Sequence, residues 1–340
     1  MEQLLIYLPF LALVVAANVA ERHRVAPYRI ADPQLNELAS VVIRYAPEAL
    51  LTIVNVSLMG LGILAAVAGQ IGLLTAAPGT GGTLLDINWV GAAATMFLTG
   101  ALGFLPLLRP VRVWLARRLD IDPDSDVHMT ALAFAAYQIG LSLSQLALIG
   151  SLETLAATGL VLDEWDILLS GIPLFLFALL GIGLWIRRSA GVAAPRLGLV
   201  RPTARQLLAV PALIVLFLAV DYAVAEVWSA IDPAGYSLLD EFTESLYGNL
   251  ATATGALVLG LSAGISEELL FRGAVQPRLG LLLATILFTI GHIQYGVTPV
   301  TVEVFFIGLV LGITRSRANT TVAILVHAGY NAIGTLIEMI

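Results

Sequence analysis

The sequence predicts an all-α fold, a polytopic transmembrane helix bundle of about ten spans. Three observations predict it: the composition, the recurrence of long apolar stretches and the distribution of arginine. Of 340 residues, 59% are hydrophobic and 12% are charged, and the mean hydropathy is +0.92. Because soluble domains are typically about 25% charged, this chain has too little polar surface to face water on all sides.

Apolar stretches close to bilayer-crossing length recur along the whole chain. Spans of this kind must be helical, because backbone groups in lipid need internal hydrogen-bond partners. The predicted spans are 3–20, 48–76, 88–108, 129–150, 167–186, 207–228, 249–270, 281–296, 299–314 and 320–338. The eighth and ninth are short, and we expect a tight hairpin between them around Gly296 and Pro299.

The basic residues test this count of spans. All 17 are arginine, and they lie in every second connection. The connections 77–87, 151–166, 229–248 and 297–298 hold none. Under the positive-inside rule, the arginine-bearing connections are cytoplasmic and both termini are extracytoplasmic. We therefore expect an integral, multi-pass protein of a prokaryotic plasma membrane.

Several classes of function are excluded, and the remaining chemistry is concentrated late in the chain. The absence of cysteine excludes disulfides and cysteine-bound metals. The acidic pI near 5.1, without a soluble basic face, argues against a nucleic-acid partner. We divide the chain into an N-terminal transmembrane region of unknown role (1–190), a cytoplasmic linker (191–206) and a domain that holds nearly all intramembrane polar groups (207–340).

The first candidate motif is a pair of adjacent carboxylates near the end of an apolar helix. Ionisable groups inside a membrane are costly and are usually functional. Glu267 and Glu268 point about 100° apart on a helix, so they cannot share one direction. Glu268 can pair with Arg272 four residues later, which leaves Glu267 to face the bundle interior. The alternative is an interfacial charge cluster that ends the helix.

Two further motifs place polar side chains inside predicted spans. His292 lies near the bilayer midplane, and Phe288, one turn earlier, is expected to pack beside its imidazole. His327 and Asn331 are four residues apart and therefore share a helix face. Each motif alone is equally compatible with structural hydrogen bonds between helices.

Taken together, these groups form a hydrolytic set. Glu267 can act as a general base toward water, and His292 can share or orient that water. His327 and Asn331 can donate hydrogen bonds to a developing oxyanion. The other two histidines, His23 and His128, lie in polar loop regions.

The order Glu-Glu-x-x-x-Arg, Phe-x-x-x-His and His-x-x-x-Asn, with one span between the last two motifs, resembles the CAAX protease and bacteriocin-processing (CPBP, or ABI) family. These proteins are relatives of the CAAX prenyl endopeptidase. The resemblance covers about 207–340 and leaves 1–206 without a family interpretation. It implies an intramembrane endopeptidase acting on membrane-embedded or lipidated proteins. In that role Glu267 and His292 activate water, His327 and Asn331 stabilise the oxyanion, and Glu268 and Arg272, with Phe288, support the geometry.

Metal dependence is open at this stage. The sequence lacks the His-Glu-x-x-His helix of many zinc peptidases. Glu267, His292 and His327 are nevertheless a set that can bind Zn²⁺. Because a His/Asn oxyanion pair needs no metal, we favour a glutamate-type enzyme without a cofactor.

Two other functions compete with proteolysis. The chain can be a non-catalytic membrane scaffold or bacteriocin-immunity-type protein that uses the same pocket for binding. It can also be a transporter in which Glu267, His292 and His327 relay protons. The lack of a detectable inverted repeat weakens the transporter hypothesis.

Overall fold

The computed structural model describes residues 2–75, 88–149 and 160–337, and in these ranges the backbone is helical with no strand. The principal helices are α1 (Leu8–Val25), α2 (Pro33–Thr75), α3 (Trp89–Leu102), α4 (Asp126–Ile149), α5 (Glu164–Gly181), α6 (Ala204–Ile231), α7 (Pro233–Tyr247), α8 (Ala253–Glu267), α9 (Gln276–Ile290), α10 (Pro299–Arg317) and α11 (Thr320–Ile337). A π-helical segment, Glu268–Val275, joins α8 to α9. Short helices in the connections are Glu2–Leu5, Arg109–Leu115 and Ala190–Arg196.

Within the described ranges, eight helical stretches are long and apolar enough to cross a membrane. This confirms the all-α, polytopic class. The structure has eight such stretches, whereas the sequence predicts about ten spans, and the difference has two causes. Helix α1, which contains most of the predicted first span, carries Glu21, Arg22 and Arg24 in its last turns and is therefore less apolar. The predicted spans 249–270 and 281–296 lie in one helical run, Ala253–Ile290. The predicted connections 77–87 and most of 151–166 lie outside the described residues.

The run Ala253–Ile290 folds back on itself at Gly280. This residue has φ 80° and ψ 167°, a region open almost only to glycine. The guanidinium carbon of Arg272 lies 4.1 Å from the centre of the Phe288 ring, whereas a straight helix would separate these residues by about 24 Å. The two predicted spans are thus two arms of a hairpin, and the polar residues of both arms face each other.

The following connection has the expected tight geometry. Gly296 has φ 69°, in the left-handed region that favours glycine, and Pro299 is the first residue of α10. The proline has no N–H to satisfy at the start of a helix, so it is well placed there. This turn returns the chain so that α10 packs antiparallel to α9.

The connections that carry arginine meet at one end of the bundle. Four contacts between different connections show this: Arg24 Nη1 to Asp124 O (2.5 Å), Arg187 Nη1 to Glu21 Oε1 (2.8 Å), Arg278 Nη1 to Asp120 Oδ2 (2.5 Å) and Arg196 Nη1 to Gly273 O (3.0 Å). Their gathering at one end agrees with an alternating path of the chain through the bundle. The side of the membrane that this end faces stays a prediction.

Helices α8 and α11 approach each other closely along a seam of small residues. A Cβ on Gly260 would lie 2.5 Å from the Ala328 carbonyl oxygen, and one on Gly264 would lie 2.8 Å from the Ala328 amide nitrogen. Only glycine permits this distance between helix backbones. Because Glu267 follows Gly264 by three residues and His327 precedes Ala328, the seam brings the carboxylate pair to the second histidine.

The N-terminal helices pack directly against the C-terminal ones. One buried apolar cluster combines both parts of the chain: Ile121, Leu132, Ala135, Phe271, Leu279, Leu287 and Phe288. The predicted linker 191–206 contains the end of the short helix Ala190–Arg196. The division of the chain into 1–190, 191–206 and 207–340 stays a prediction, but the N-terminal helices reach the back of the candidate site.

Candidate active site

The two adjacent glutamates lie where α8 changes into the π-helical segment. Glu267 is the last residue of α8, and Glu268 is the first residue of the segment Glu268–Val275. π-Helical turns are rare and occur frequently at functional sites. The wider turn presents Glu268 and Arg272 to the protein interior, where they are 0% and 1% exposed.

Glu268 binds two cationic or potentially cationic groups through one oxygen. Arg272 Nη1 lies 3.0 Å from Glu268 Oε1, and His327 Nδ1 lies 2.9 Å from the same atom. The pairing with Arg272 was expected from the spacing, but the bond to His327 was not. Since a carboxylate paired with arginine accepts hydrogen bonds, Nδ1 of His327 donates, and its Nε2 points away from Glu268.

Phe288 lies at the centre of the site. Its ring contacts the imidazole of His292 (4.7 Å between centres) and that of His327 (5.9 Å). Arg272 stacks on the same ring and donates from Nη2 to the carbonyl of Gly308 at 3.0 Å. The aromatic ring thereby separates the two histidines and holds the guanidinium in place.

Glu267 and His292 form a second, more accessible pair. His292 Nε2 lies 3.8 Å from Glu267 Oε2, and the side chains are 22% and 18% exposed. His292 Nδ1 lies 2.9 Å from the Phe288 carbonyl oxygen, which can only accept, so Nδ1 carries a proton. Glu267 Oε2 is buried and makes no hydrogen bond to a described protein group. A carboxylate oxygen and an imidazole nitrogen therefore face each other without a direct hydrogen bond.

Asn331 lies one helical turn beyond His327 on α11. Its side chain makes no hydrogen bond among the described residues, and its carbonyl accepts from Thr335 Oγ1 at 2.9 Å. The structure gives no contact between this amide and Glu267, His292 or His327. The site thus brings together Glu268, Arg272 and His327, and separately Glu267 and His292, while Asn331 stands beside them with free donors.

Sequence reasoning missed a group of tyrosines that covers the site from α7 and from the turn after His292. Burial raises the pKa of the Tyr247 phenol, and the nearby negative charge of Glu267 adds to the rise. Burial likewise raises the pKa of Tyr295, which lies against Tyr247. Both phenols are therefore neutral donors at ordinary pH. The apolar face of α7, with Leu239 and Phe242, was the signal that could have indicated a covering helix.

The metal-binding set allowed by the sequence does not assemble in the structure. Among the described residues, no three His, Asp or Glu side chains converge closely enough to hold a metal ion. His327 directs one ring nitrogen to Glu268, and His292 directs one to a backbone carbonyl. Each ring keeps Nε2 free, an arrangement that metal-binding histidines also show, so metal dependence stays a prediction.

The fold and the site together define an integral membrane protein with a buried Glu/His centre in its last four helical arms. Residues 249–333 match the family described as type II CAAX prenyl endopeptidase Rce1-like. This confirms the resemblance to the CPBP family that the three motifs indicate, and all three motifs lie within the matched stretch. No curated protein and no solved structure matches the chain significantly. The family supports a general activity, that of an intramembrane endopeptidase on membrane-associated peptide substrates.

Proposed function

We propose that this protein hydrolyses peptide bonds of membrane-associated or lipidated proteins with a water activated by Glu267 and His292. One observation carries the proposal. Of the two adjacent carboxylates, Glu268 is 0% exposed and is bound through Oε1 by Arg272 and His327. Glu267 is 18% exposed, has no ion pair with Arg272 or His327, and its Oε2 lies 3.8 Å from His292 Nε2. The adjacent carboxylates therefore have different roles, and Glu267 is the base.

The geometry of this pair suits a bound water. With a proton on Nδ1, neutral His292 offers a lone pair at Nε2, and Glu267 offers another at Oε2. A single water can donate one hydrogen to each acceptor, which turns its own lone pairs toward a carbonyl carbon. On attack, the O–C bond forms, and the water proton moves to Glu267. When the tetrahedral intermediate collapses, the C–N bond breaks and Glu267 returns this proton to the leaving amine.

The oxyanion is stabilised by His327 and Asn331 in this proposal. Because Nδ1 of His327 is held by Glu268, Nε2 is the atom available to the substrate. It donates a hydrogen bond when the ring is an imidazolium, and the Asn331 amide supplies a second donor one turn further along α11.

An imidazolium at His327 is part of this proposal. Together with Arg272 it offsets the two glutamates, so the buried cluster is neutral as a whole. During attack the negative charge moves from Glu267 to the oxyanion, and the total stays unchanged. Glu268 and Arg272 thereby act as positioning residues for His327.

We propose that no metal takes part, since the oxyanion donors are supplied by protein groups. We further propose that the arginine-bearing end of the bundle faces the cytoplasm of a prokaryotic cell. The matched family is that of a type II CAAX prenyl endopeptidase. By extension we propose a lipid-anchored protein segment as substrate here.

The test uses full-length protein in lipid nanodiscs and quenched fluorescent peptides with and without a C-terminal isoprenoid. Glu267→Gln is expected to lower kcat by about 10²–10⁴-fold, the usual contribution of a general base. Glu226→Gln is the matched control, because Glu226 is an exposed glutamate of α6 far along the chain from the motifs. Wild-type rates in Glu267→Gln would refute the assignment.

A second arm tests the metal. Activity that survives prolonged EDTA treatment and dialysis is expected. If activity is lost and returns only with added Zn²⁺, the proposed metal-free mechanism is wrong, while the peptidase assignment stands.

A further inference from the structure

A long cavity of about 390 Å³ lies behind the candidate active site, between the N-terminal helices and the hairpin that carries the glutamates. The stretch from Tyr7, which precedes α1, to Glu21 near the end of α1 lines it, and α4 lines it from Val127 to Leu141. Each of these stretches rises by about 21 Å. The cavity is therefore a narrow crevice, with a volume in the range of small-molecule sites, about 300–1,000 Å³.

The walls of the crevice are apolar over most of its length. Aromatic rings from α1, α4 and α5 line one side: Phe10, Phe134 and Phe177. Leu270 and Phe271 of the π-helical segment and Leu287 of α9 line the other. A chain of methylene groups is the type of ligand that such walls favour, because few polar groups are present to hold anything else.

One end of the crevice is basic. The arginines that line it are Arg187, Arg188, Arg196 and Arg278. Arg187 is paired with Glu21 and Arg278 with Asp120, at 2.8 and 2.5 Å.

The other two arginines have no carboxylate partner among the described residues. Arg188 donates to the carbonyl of Ile182, and Arg196 donates to the carbonyl of Gly273 at 3.0 Å. Both side chains are half-buried. An uncompensated positive charge therefore stands at the mouth of an apolar crevice.

The pKa of Arg196 agrees with an excess of positive charge at the mouth of the crevice. Burial and the neighbouring guanidinium groups of Arg278, Arg188 and Arg315 lower the pKa of Arg196 to about 10. Mutual repulsion of this kind is relieved when an anion binds between the arginines. The group lies outside the membrane-spanning stretches, at the level of the arginine-rich end of the bundle.

We propose that the crevice binds an acidic phospholipid of the surrounding bilayer, with its phosphate on Arg188 and Arg196 and one acyl chain between α1, α4 and the π-helical segment. The length fits, because one leaflet of a hydrocarbon core about 30 Å thick takes a chain about 15 Å long. Basic pockets between transmembrane helices are known to select anionic lipid headgroups.

This site is separate from the proposed catalytic groups. Leu270, Phe271 and Ala274 of the π-helical segment face the crevice, whereas Glu268 and Arg272 of the same segment face the candidate active site. The crevice also gives the N-terminal region a role, since most of its walls lie outside the stretch that matches the family. A bound lipid would pack against the crevice side of the π-helical segment, whose opposite side faces the candidate active site.

The test is binding, so it does not depend on proteolysis. Full-length protein in detergent is titrated with phosphatidylglycerol and phosphatidylcholine of identical acyl chains, and bound lipid is counted by native mass spectrometry. Wild type is expected to prefer phosphatidylglycerol by at least about 10-fold, as headgroup contacts to two arginines imply. The double variant Arg188→Gln/Arg196→Gln is expected to lose this preference.

The matched control is Arg117→Gln/Arg118→Gln, which removes two exposed arginines that do not line the crevice. A second variant, Ala131→Leu, fills the apolar part and is expected to lower the retention of both lipids at least 10-fold while thermal unfolding stays near wild type.

Three results would overturn the proposal. These are equal binding of the two lipids by wild type, equal losses in the Arg188/Arg196 variant and its control, or displacement of phosphatidylglycerol by a farnesylated peptide at equimolar amounts. The last result would assign the crevice to the lipid anchor of a substrate.

Discussion

Replacing Arg272 by methionine separates the positioning role of the buried ion pair from the chemistry of Glu267. Arg272 is 1% exposed and pairs with a glutamate that is 0% exposed, and it also bonds Gly308. Arg272→Met leaves Glu268 with His327 as its one remaining partner. Removing one member of a buried pair typically costs about 3–5 kcal/mol, because the other charge stays buried. This is a large part of a typical folding stability of about 5–15 kcal/mol.

The double variant Glu268→Leu/Arg272→Met is expected to recover most of that loss, since neither member of the Arg272–Glu268 pair is left behind as a buried charge. It is not expected to recover activity, because His327 loses the carboxylate that holds its Nδ1. Stability is measured by reversible unfolding in mixed micelles, and activity with the fluorescent peptides. The exposed pair Arg109–Asp124 supplies the control.

For Arg109→Met/Asp124→Leu, unfolding and activity are expected to stay near wild type. In the wild type, the Arg109 and Asp124 side chains are 63% and 55% exposed, so solvent screens the pair. A double variant of the buried pair that is as unstable as Arg272→Met, or that cleaves at the wild-type rate, would refute the reasoning.

Three further predictions follow from particular positions. Gly264→Val should separate α8 from α11 and abolish cleavage, since the added Cβ would lie 2.8 Å from the Ala328 backbone. Gly60→Ala is the control, because no atom lies within 4 Å of its added Cβ, and both expression and cleavage should stay unchanged. Gly280→Ala should cost about 1–3 kcal/mol in unfolding from backbone strain alone, because no atom lies within 4 Å of the added Cβ; wild-type stability would contradict it. Tyr247→Phe should change kcat and its pH profile more than thermal stability, because the charge of Glu267 acts on this phenol. An effect on stability alone would make Tyr247 a packing residue.

Much of the fold was predictable because it depends on the apolar composition of the chain and on the regular spacing of its apolar stretches and arginines. A chain this apolar has to place helices in lipid, and the arginine alternation orders them without any contact information. The hairpin at Gly280 was predicted only as two separate spans. Its sharpness depends on one glycine in a conformation that no periodic pattern specifies.

The candidate site was predictable in part. Spacing of four residues identified the Glu268–Arg272 pair and the contact of Phe288 with His292, because both are local on a helix. The bond from His327 to Glu268 joins residues far apart in sequence, and Tyr247 comes from α7, a helix outside the motifs. No local rule reports such contacts.

By itself, the sequence determined that this is a polytopic helical membrane protein and which residue types carry its chemistry, because hydropathy and helical period are properties of single segments. The tertiary structure alone decided which histidine each carboxylate meets. That distinction depends on the close glycine seam between α8 and α11, which brings His327 to Glu268 and leaves Glu267 facing His292. It also decided that the N-terminal helices form a basic-mouthed crevice behind the site, since a cavity exists only between packed helices.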